Sequence, residues 1–532
     1  GEGQDSLHAS VDHLLLNSFF MSDSMHEVKL KQMVLSDFAF LHKQNESRQS
    51  LHLKEFSLDD VSWSKELLSL GLLNIISPSV SLSLANKDSV TPDSISVKKD
   101  LYDRLKNYAG QMKVADLEIA DINLDYTNTR NGDNRKQAIH QASFGLEGLA
   151  VNNETKKLAF TNIHLNMQQL SLPVDSGMFT LEIGGIDLTK HTNELTIDRI
   201  HLKALYPKME FSYKHPRNKD WFDVTVGQVK LSGIDYPASF ANHKLQAKSL
   251  LIKDVQLDNL KNQQIIVPHL SQPMIYEGLQ KLPLKLNIAD VNVQNFNVVY
   301  EELPKEGVRT GKILFSNLNG HISNFTNVAS TPGQFLKLDI DGIFMDSGFF
   351  TAVWQIPIDR SHDQFLLDAH MPAFDLRELN QIFIPLASAE VKSGLLKNMT
   401  FAMDASSIRG NIRMLLLYND LNVNFLKNSN KDTPNKFISS LANRVVRDNN
   451  PSNETSKPRE PDLYIERDPY HSTFNYFWQL LRPPLVETVG IPKSTQDFGK
   501  GVSSFFQKVK KFFRFGKEEN EQTQPMPESF KQ

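Results

Sequence analysis

The chain has 532 residues, 40% of them hydrophobic and 23% charged, with a formal net charge of −4. That balance gives no general attraction to nucleic acid. The absence of cysteine excludes disulfides, thiolate metal sites and a cysteine nucleophile.

The first residues, Gly1-Glu-Gly-Gln-Asp, carry neither an initiating Met nor a signal peptide and read as a trimmed start. Residues 1–100 read as an N-terminal β region. Val28, Leu30 and the runs 35–40 and 51–63 supply its strands, with a short helix-like stretch at 64–70. Val80, Leu82 and Leu84 alternate with serine, which marks a half-buried strand, and Pro78 sits where a strand start tolerates it. Leu101, Leu105 and Tyr108 have helical spacing, closed by Gly110. From 114 to 260 strand-like runs follow one another at the short spacing of an all-β chain. The stretch 128–134 reads as a hairpin loop, and 205–213, which contains Pro207, as an edge or bulged strand. Short helices are expected at 273–282 and 375–385, and two strands at 408–425. No run of about 18 apolar residues occurs, so no transmembrane helix is expected.

Beyond 426 the composition changes. Residues 427–472 are polar and read as a linker. The aromatic segment 473–481 is expected to pack on the protein. At 498–515 Phe505, Phe506, Val509, Phe512 and Phe513 recur at helical spacing, with Lys508, Lys510, Lys511 and Arg514 largely off that stripe. This is a basic amphipathic helix, fit either for an anionic membrane surface or for packing on the chain's own sheet. The last 16 residues read as disordered.

One six-residue phrase recurs through the β region. Ile-Ala-Asp-Ile-Asn-Leu at 119–124 returns as Ile-Ala-Asp-Val-Asn-Val at 288–293. The pattern is apolar, any, Asp/Asn/Gly, apolar, any, apolar. It recurs at 35–40, 58–63, 146–151, 160–165, 183–188, 231–236, 252–257, 340–345 and 396–401, and at 197–202 with Arg199 in the third place. Apolar residues two apart line one face of a strand, so the gap of three inside the phrase slips the phase by one. A kink at the third residue restores the face, and Asp, Asn and Gly tolerate the left-handed backbone a kink needs. Asp121 and Asp290 are therefore expected to be kink residues rather than acids with a chemical role. The recurrence of helix followed by phrase, 169 residues apart, suggests two related modules, at 101–262 and 263–426, ahead of a linker (427–472) and a helical tail (473–532).

No reaction signature accompanies this architecture. Gly307-Val-Arg-Thr-Gly311-Lys312 is one residue short of a phosphate loop and lacks its Ser/Thr. His140, His164 and His201 lie on strand-like runs as solvent-facing residues, and the pairs Asp59/Asp60 and Glu301/Glu302 suit a solvated face. No catalytic residue, metal site or cofactor is expected.

The repeated phrases, the Ile-Ile-Ser-Pro-Ser-Val-Ser-Leu-Ser-Leu stretch at 75–84 and Gly-Leu-Leu-Lys-Asn-Met-Thr-Phe at 394–401 resemble the AsmA-like proteins of Gram-negative envelopes, over about residues 10–425. The resemblance implies a periplasmic protein held at the inner membrane by a segment absent from this chain. It implies an elongated, curved antiparallel sheet with an apolar groove, so that with the few short helices and the C-terminal amphipathic helix read above the expected fold is mostly β. It also implies lipid binding or phospholipid transport in outer-membrane biogenesis, with acyl-chain lipid as partner. Ile122, Leu124, Val291 and Val293 are the expected groove residues. The alternative is an envelope scaffold or adhesin built from closed β-sandwich modules.

Overall fold

A computed structural model describes most residues between Asp5 and Gly490, apart from 85–108, 129–134, 435–445 and some shorter loops. The expected helix near 101–108, the loop at 129–134 and the basic helix with Phe505, Phe506, Lys508, Val509, Lys510, Lys511, Phe512, Phe513 and Arg514 lie outside the described residues. The fold is mostly β, in an antiparallel-dominated sheet with a few short helices. Contacts divide the chain into two units: residues 1–203 with 228–234, and residues 204–227 with 235–532.

Unit 1 contains β1 (Ser6–Ser10), β2 (His13–Met21), β3 (Glu27–Gln44), β4 (Ser47–Ser64), β5 (Leu67–Ile76) and β6 (Ser79–Leu84). After them come β7 (Gln111–Asn128), β8 (Arg135–Asn152), β9 (Lys157–Ala159), β10 (Asn162–Val174), β11 (Phe179–Thr189) and most of β12 (Glu194–Ala204). The chain makes an antiparallel meander up to β6. There β7 joins β5 and β6 in parallel, which requires a crossover. Antiparallel pairing resumes through β8, β10 and β11. The helix expected at 64–70 is a two-residue turn between β4 and β5: both strands alternate and pair, and pairing outweighs a weak helical spacing.

β13 (Trp221–Ser232) is divided between the units. Unit 2 then runs β14 (Lys244–Asn262), β15 (Lys285–Leu303), β16 (Gly311–Thr326), β17 (Phe335–Phe344), β18 (Gly348–Pro357), β19 (Phe365–Met371), β20 (Phe374–Asp375), β21 (Ala389–Ala405), β22 (Arg409–Asn428), β23 (Lys431–Pro434) and β24 (Asp462–Glu466). β15 joins β14 in parallel after a short helix, Ile275–Gln280, and the later ladders are antiparallel. The expected edge strand at 205–213 is a turn and a short helix, Phe211–Lys214, whose Phe211 is fully buried. Pro207 ends the extended run because its carbonyl accepts from Phe211 N and starts that turn. Where two strands were expected at 408–425, β22 is one long strand.

The core of unit 2 lies at its C-terminal end. There the helix Thr473–Val489 covers β18, β19, β21 and β22. Trp354 and Phe365 meet Phe477 edge-on at 5.1 and 5.5 Å, and Tyr476 and Leu480 have no exposed surface. The aromatic segment 473–481 thus packs on the protein. Residues 446–466, expected to be linker, are bound to the sheet. β24 pairs with β22, and buried Asn450 donates to Leu416 O at 2.6 Å and accepts from Arg459 N at 2.9 Å. A polar stretch can be structural when its side chains satisfy backbone groups.

Candidate functional site

The recurring phrase does make kinks. Asp37, Asp60, Asp121, Gly148, Gly233 and Asp254 all have positive φ, and so does Arg199 at 53°. Opposite Asp121 (φ 55°), β8 carries its own left-handed residue, Gln141 (φ 52°). The register runs Ile119↔Phe144, Ile122↔Ala142, Leu124↔Ile139, so each strand takes up one extra residue and pairing resumes in phase. Ile119, Ile122 and Leu124 consequently stay on one face.

The same kink exists in unit 2, but not at Asp290. β15 and β16 run Val293↔Gly320, Phe296↔Leu318, Val298↔Phe315, with Asn295 (φ 53°) and Asn317 (φ 49°) as the left-handed residues. The hydrogen bonds match one for one. Ser77 Oγ donates to Asp121 Oδ2 at 3.0 Å, Asn123 Nδ2 to Asp121 Oδ1 at 3.2 Å, and Gln141 N to Asn123 Oδ1 at 3.2 Å. In unit 2 Asn295 Nδ2 donates to Asp254 Oδ1 at 2.8 Å, Asn297 Nδ2 to Asn295 Oδ1 at 3.1 Å, and Asn317 N to Asn297 Oδ1 at 2.9 Å. The structural partner of Ile119–Leu124 is therefore Val293–Val298, a copy that the sequence reading missed because it shares Val293 with its neighbour.

The phrase at 288–293 corresponds instead to Val114-Ala-Asp-Leu-Glu-Ile119, an earlier kink of the same strand. Pairing lapses at Ala289 and Asn324 (φ 60°) in unit 2, and at Ala115 and Gly148 (φ 61°) in unit 1. Asp290 is thus no left-handed kink residue: it lies 55% exposed with its Oδ1 3.3 Å from His321 Nε2. The module offset is about 174 residues, from β7 to β15, rather than 169.

These kinks keep an apolar face continuous across unit 1. One row of directly paired residues reads Leu14, Leu35, Phe56, Ile75, Ile119, Phe144, Leu165, Leu188. A second reads Leu16, Met33, Leu58, Leu73, Leu117, Leu146, Ile163. A third, beyond the Asp121 kink, reads Phe40, Leu51, Val80, Leu124, Ile139, Leu170, Ile183. The rows between them belong to the other face and are mainly polar: Gln32, Asp59, Leu72, Asp116, Glu147, Asn162 is one. On that face His164 Nε2 lies 3.1 Å from Glu118 and His140 Nε2 lies 3.0 Å from Asp125. Gly145 stands between Glu118 and His164, where a Cβ would meet the imidazole.

Apart from β1 and β2, whose large apolar residues are exposed, the residues of the apolar rows are half-buried to buried. Among the described residues of unit 1 the sole helical element is a 3-10 turn, Asp175–Gly177. Some tens of Å² from each side chain amount to on the order of 1,000 Å² of apolar surface, beyond the few hundred that a monomer ordinarily leaves open. Ile122 and Leu124 lie on this face, half-buried. Val293 is half-buried in unit 2, whereas Val291 is 2% exposed and offers no surface to a ligand.

The polar clusters of the described residues are engaged in pairs with one another. Among the described residues no group of three or more His, Asp or Glu is placed to hold a metal. The stretch ending at Gly311-Lys312 leads into β16 rather than a helix, and Lys312 Nζ pairs with Glu301 at 3.2 Å. Glu302, expected on a solvated face, is buried. It accepts from Tyr300 Oη at 2.8 Å and from Gln263 Nε2, and burial pushes its carboxyl above the usual range. Burial likewise raises Asp220 and, with Glu302 beside it, lifts Tyr300 well above the ordinary phenol value. A depression of about 360 Å³ on β18, β19, β21 and β22 is bordered by Asp368, His370, Arg413 and Glu460. Arg413 is committed to Asp462 at 2.9 Å and His370 to Asn398 at 2.8 Å. No helix among the described residues is long and apolar enough to cross a membrane. No family model matches the chain, and no curated protein matches it.

Proposed function

We propose that the chain is a non-enzymatic lipid-binding or lipid-transfer protein of the cell envelope, AsmA-like in kind. It would act in the periplasm in outer-membrane biogenesis or envelope integrity. The observation that carries this reading is the apolar face of unit 1, continuous over eight strands and partly exposed while the opposite face is mainly polar. Water-exposed apolar area of that extent is costly, and acyl chains laid along the rows would relieve the cost at roughly 25 cal/mol per Å² covered. The in-phase kinks support the reading, because they serve to keep one face apolar along strands of up to 18 residues. An anionic membrane surface is a further proposed partner, for the basic segment carrying Lys508, Lys510, Lys511 and Arg514.

The test is transfer of a fluorescent phospholipid between vesicles, with native mass spectrometry of the purified chain. Lipid adducts and transfer are expected. Leu124→Lys with Ile139→Lys, a directly paired couple on the third row, should cut transfer about tenfold without changing the far-UV circular dichroism. Absence of adducts together with transfer no faster than buffer would sink the proposal. The scaffold reading draws support from the C-terminal core of unit 2, where the helix Thr473–Val489 covers apolar side chains of β18, β19, β21 and β22. It gains if the chain binds no lipid yet holds a protein partner.

A further inference from the structure

The edge strand β2 has a feature that lipid binding does not account for. Among the described residues it hydrogen-bonds to β3 alone, and none of them pairs with its other edge. Leu14, Leu16, Phe19 and Met21 belong to the apolar face, paired with Leu35, Met33, Leu30 and Val28. Leu15 and Phe20 point to the opposite, polar face, and each is more than half exposed, at 53% and 52%. Apolar side chains on both faces of an edge strand are what soluble sheets avoid, usually with Lys, Pro or a charged inward residue. Residues 6–21 contain no Lys, Arg or Pro, and their one carboxylate, Asp12, lies 2.8 Å from His13 Nδ1.

The strand is also self-complementary. Ser18 is left-handed (φ 53°), so Leu16 and Phe19 share a face across the kink. An antiparallel partner must place residues of the same face opposite one another, and at Asp121/Gln141 and Asn295/Asn317 a left-handed residue meets another at the same level of the next strand. For two copies of β2, the register that satisfies both conditions has its two-fold axis between Asn17 and Ser18. It sets Leu16 opposite Phe19, Leu14 opposite Met21 and Leu15 opposite Phe20, each pair occurring twice. No like charges face each other within the strand.

We propose that β2 is a homodimerisation edge, at which a second copy of this chain adds its own β2 antiparallel about a two-fold axis at Asn17/Ser18. The proposal does not depend on lipid binding, because Leu15 and Phe20 lie on the face away from the apolar rows. The pairing joins two sheets edge to edge and leaves the apolar face of each copy continuous with the other.

Two measurements test it on the full chain. Sedimentation between about 1 and 100 μM, the range suited to a small interface, should show a monomer–dimer equilibrium. Leu15→Lys with Phe20→Lys should shift that equilibrium at least tenfold toward monomer. The natural chain has no cysteine, so Asn17→Cys introduces the only thiol. Mild oxidation should link it into a covalent dimer, whereas Leu7→Cys, also at an exposed site (65%) but far from the axis, should stay unlinked. A wild-type chain that remains monomeric to 100 μM overturns the proposal, whether or not it floats with vesicles. Equal linking of the two cysteine variants overturns it as well, since that is the behaviour of random collision. The linking experiment still decides if the lysine variant fails to fold.

Discussion

Replacing Asn295 and Asp290 in turn by valine separates a backbone kink from an exposed polar residue on one strand. Both lie on β15 in unit 2, so the same unfolding transition reports both. Asn295 has φ 53°, where a β-branched side chain is strained by about 1–3 kcal/mol. Its side chain also donates to Asp254 Oδ1 and accepts from Asn297 Nδ2. Losing two such bonds at an exposed position adds roughly 0.5–1 kcal/mol each. Asn295→Val should therefore cost about 2–5 kcal/mol. Asp290 is not left-handed, and its contact with His321 is an exposed pair worth about 0–1 kcal/mol, part of which valine's strand preference returns. Asp290→Val should stay within about 1 kcal/mol of wild type. Urea unfolding followed by circular dichroism measures both, and Asn295→Gly, which tolerates the backbone, should recover most of the loss. An Asp290→Val cost equal to that of Asn295→Val would refute the assignment of the kink.

Gly148→Val in unit 1 should cost about 2–4 kcal/mol by the same assay, because φ is 61° and a Cβ would lie 2.7 Å from Thr161 Oγ1. Phe477→Ala should remove about 3–5 kcal/mol from the core it shares with Trp354 and Phe365 and shift the Trp354 fluorescence toward that of exposed indole. Glu302 has its carboxyl raised by burial, so the folded state holds the proton more tightly than the unfolded one. That contribution to stability is fully present below the unfolded carboxylate range and is lost as pH rises through the higher folded value. Glu302→Gln should therefore gain stability relative to wild type as pH rises from 4 toward 7, read from urea midpoints at each pH. A difference that stays constant with pH would contradict it.

Much of the fold was legible because its determinants are local. Alternation, phase slips and the small set of residues able to take left-handed φ are short-range properties. They locate strands and kinks without knowledge of neighbours. Arg199 shows the limit: a residue with no left-handed preference takes that geometry, with φ 53°. Asp290 shows the converse, a favourable residue whose strand kinks one residue earlier, at Ala289, with the left-handed backbone supplied by Asn324 on the next strand. The short helix within 205–213, the sheet-bound segment 446–466 and the burial of Glu302 were illegible for a related reason. Each depends on which distant groups satisfy a backbone atom or exclude water.

By itself the sequence determined that this chain is a kinked, mostly antiparallel β protein, because side-chain parity along a strand is a one-dimensional quantity. Only the tertiary structure decided the module offset of about 174, since two kinks with nearly the same spelling are told apart by their partners across the sheet. It likewise decided where the apolar face is covered. At the C-terminal end of unit 2 the helix Thr473–Val489 covers it, while in unit 1 Ile122 and Leu124 stay partly exposed. Burial depends on what packs above a face, and no pattern along the strand records that.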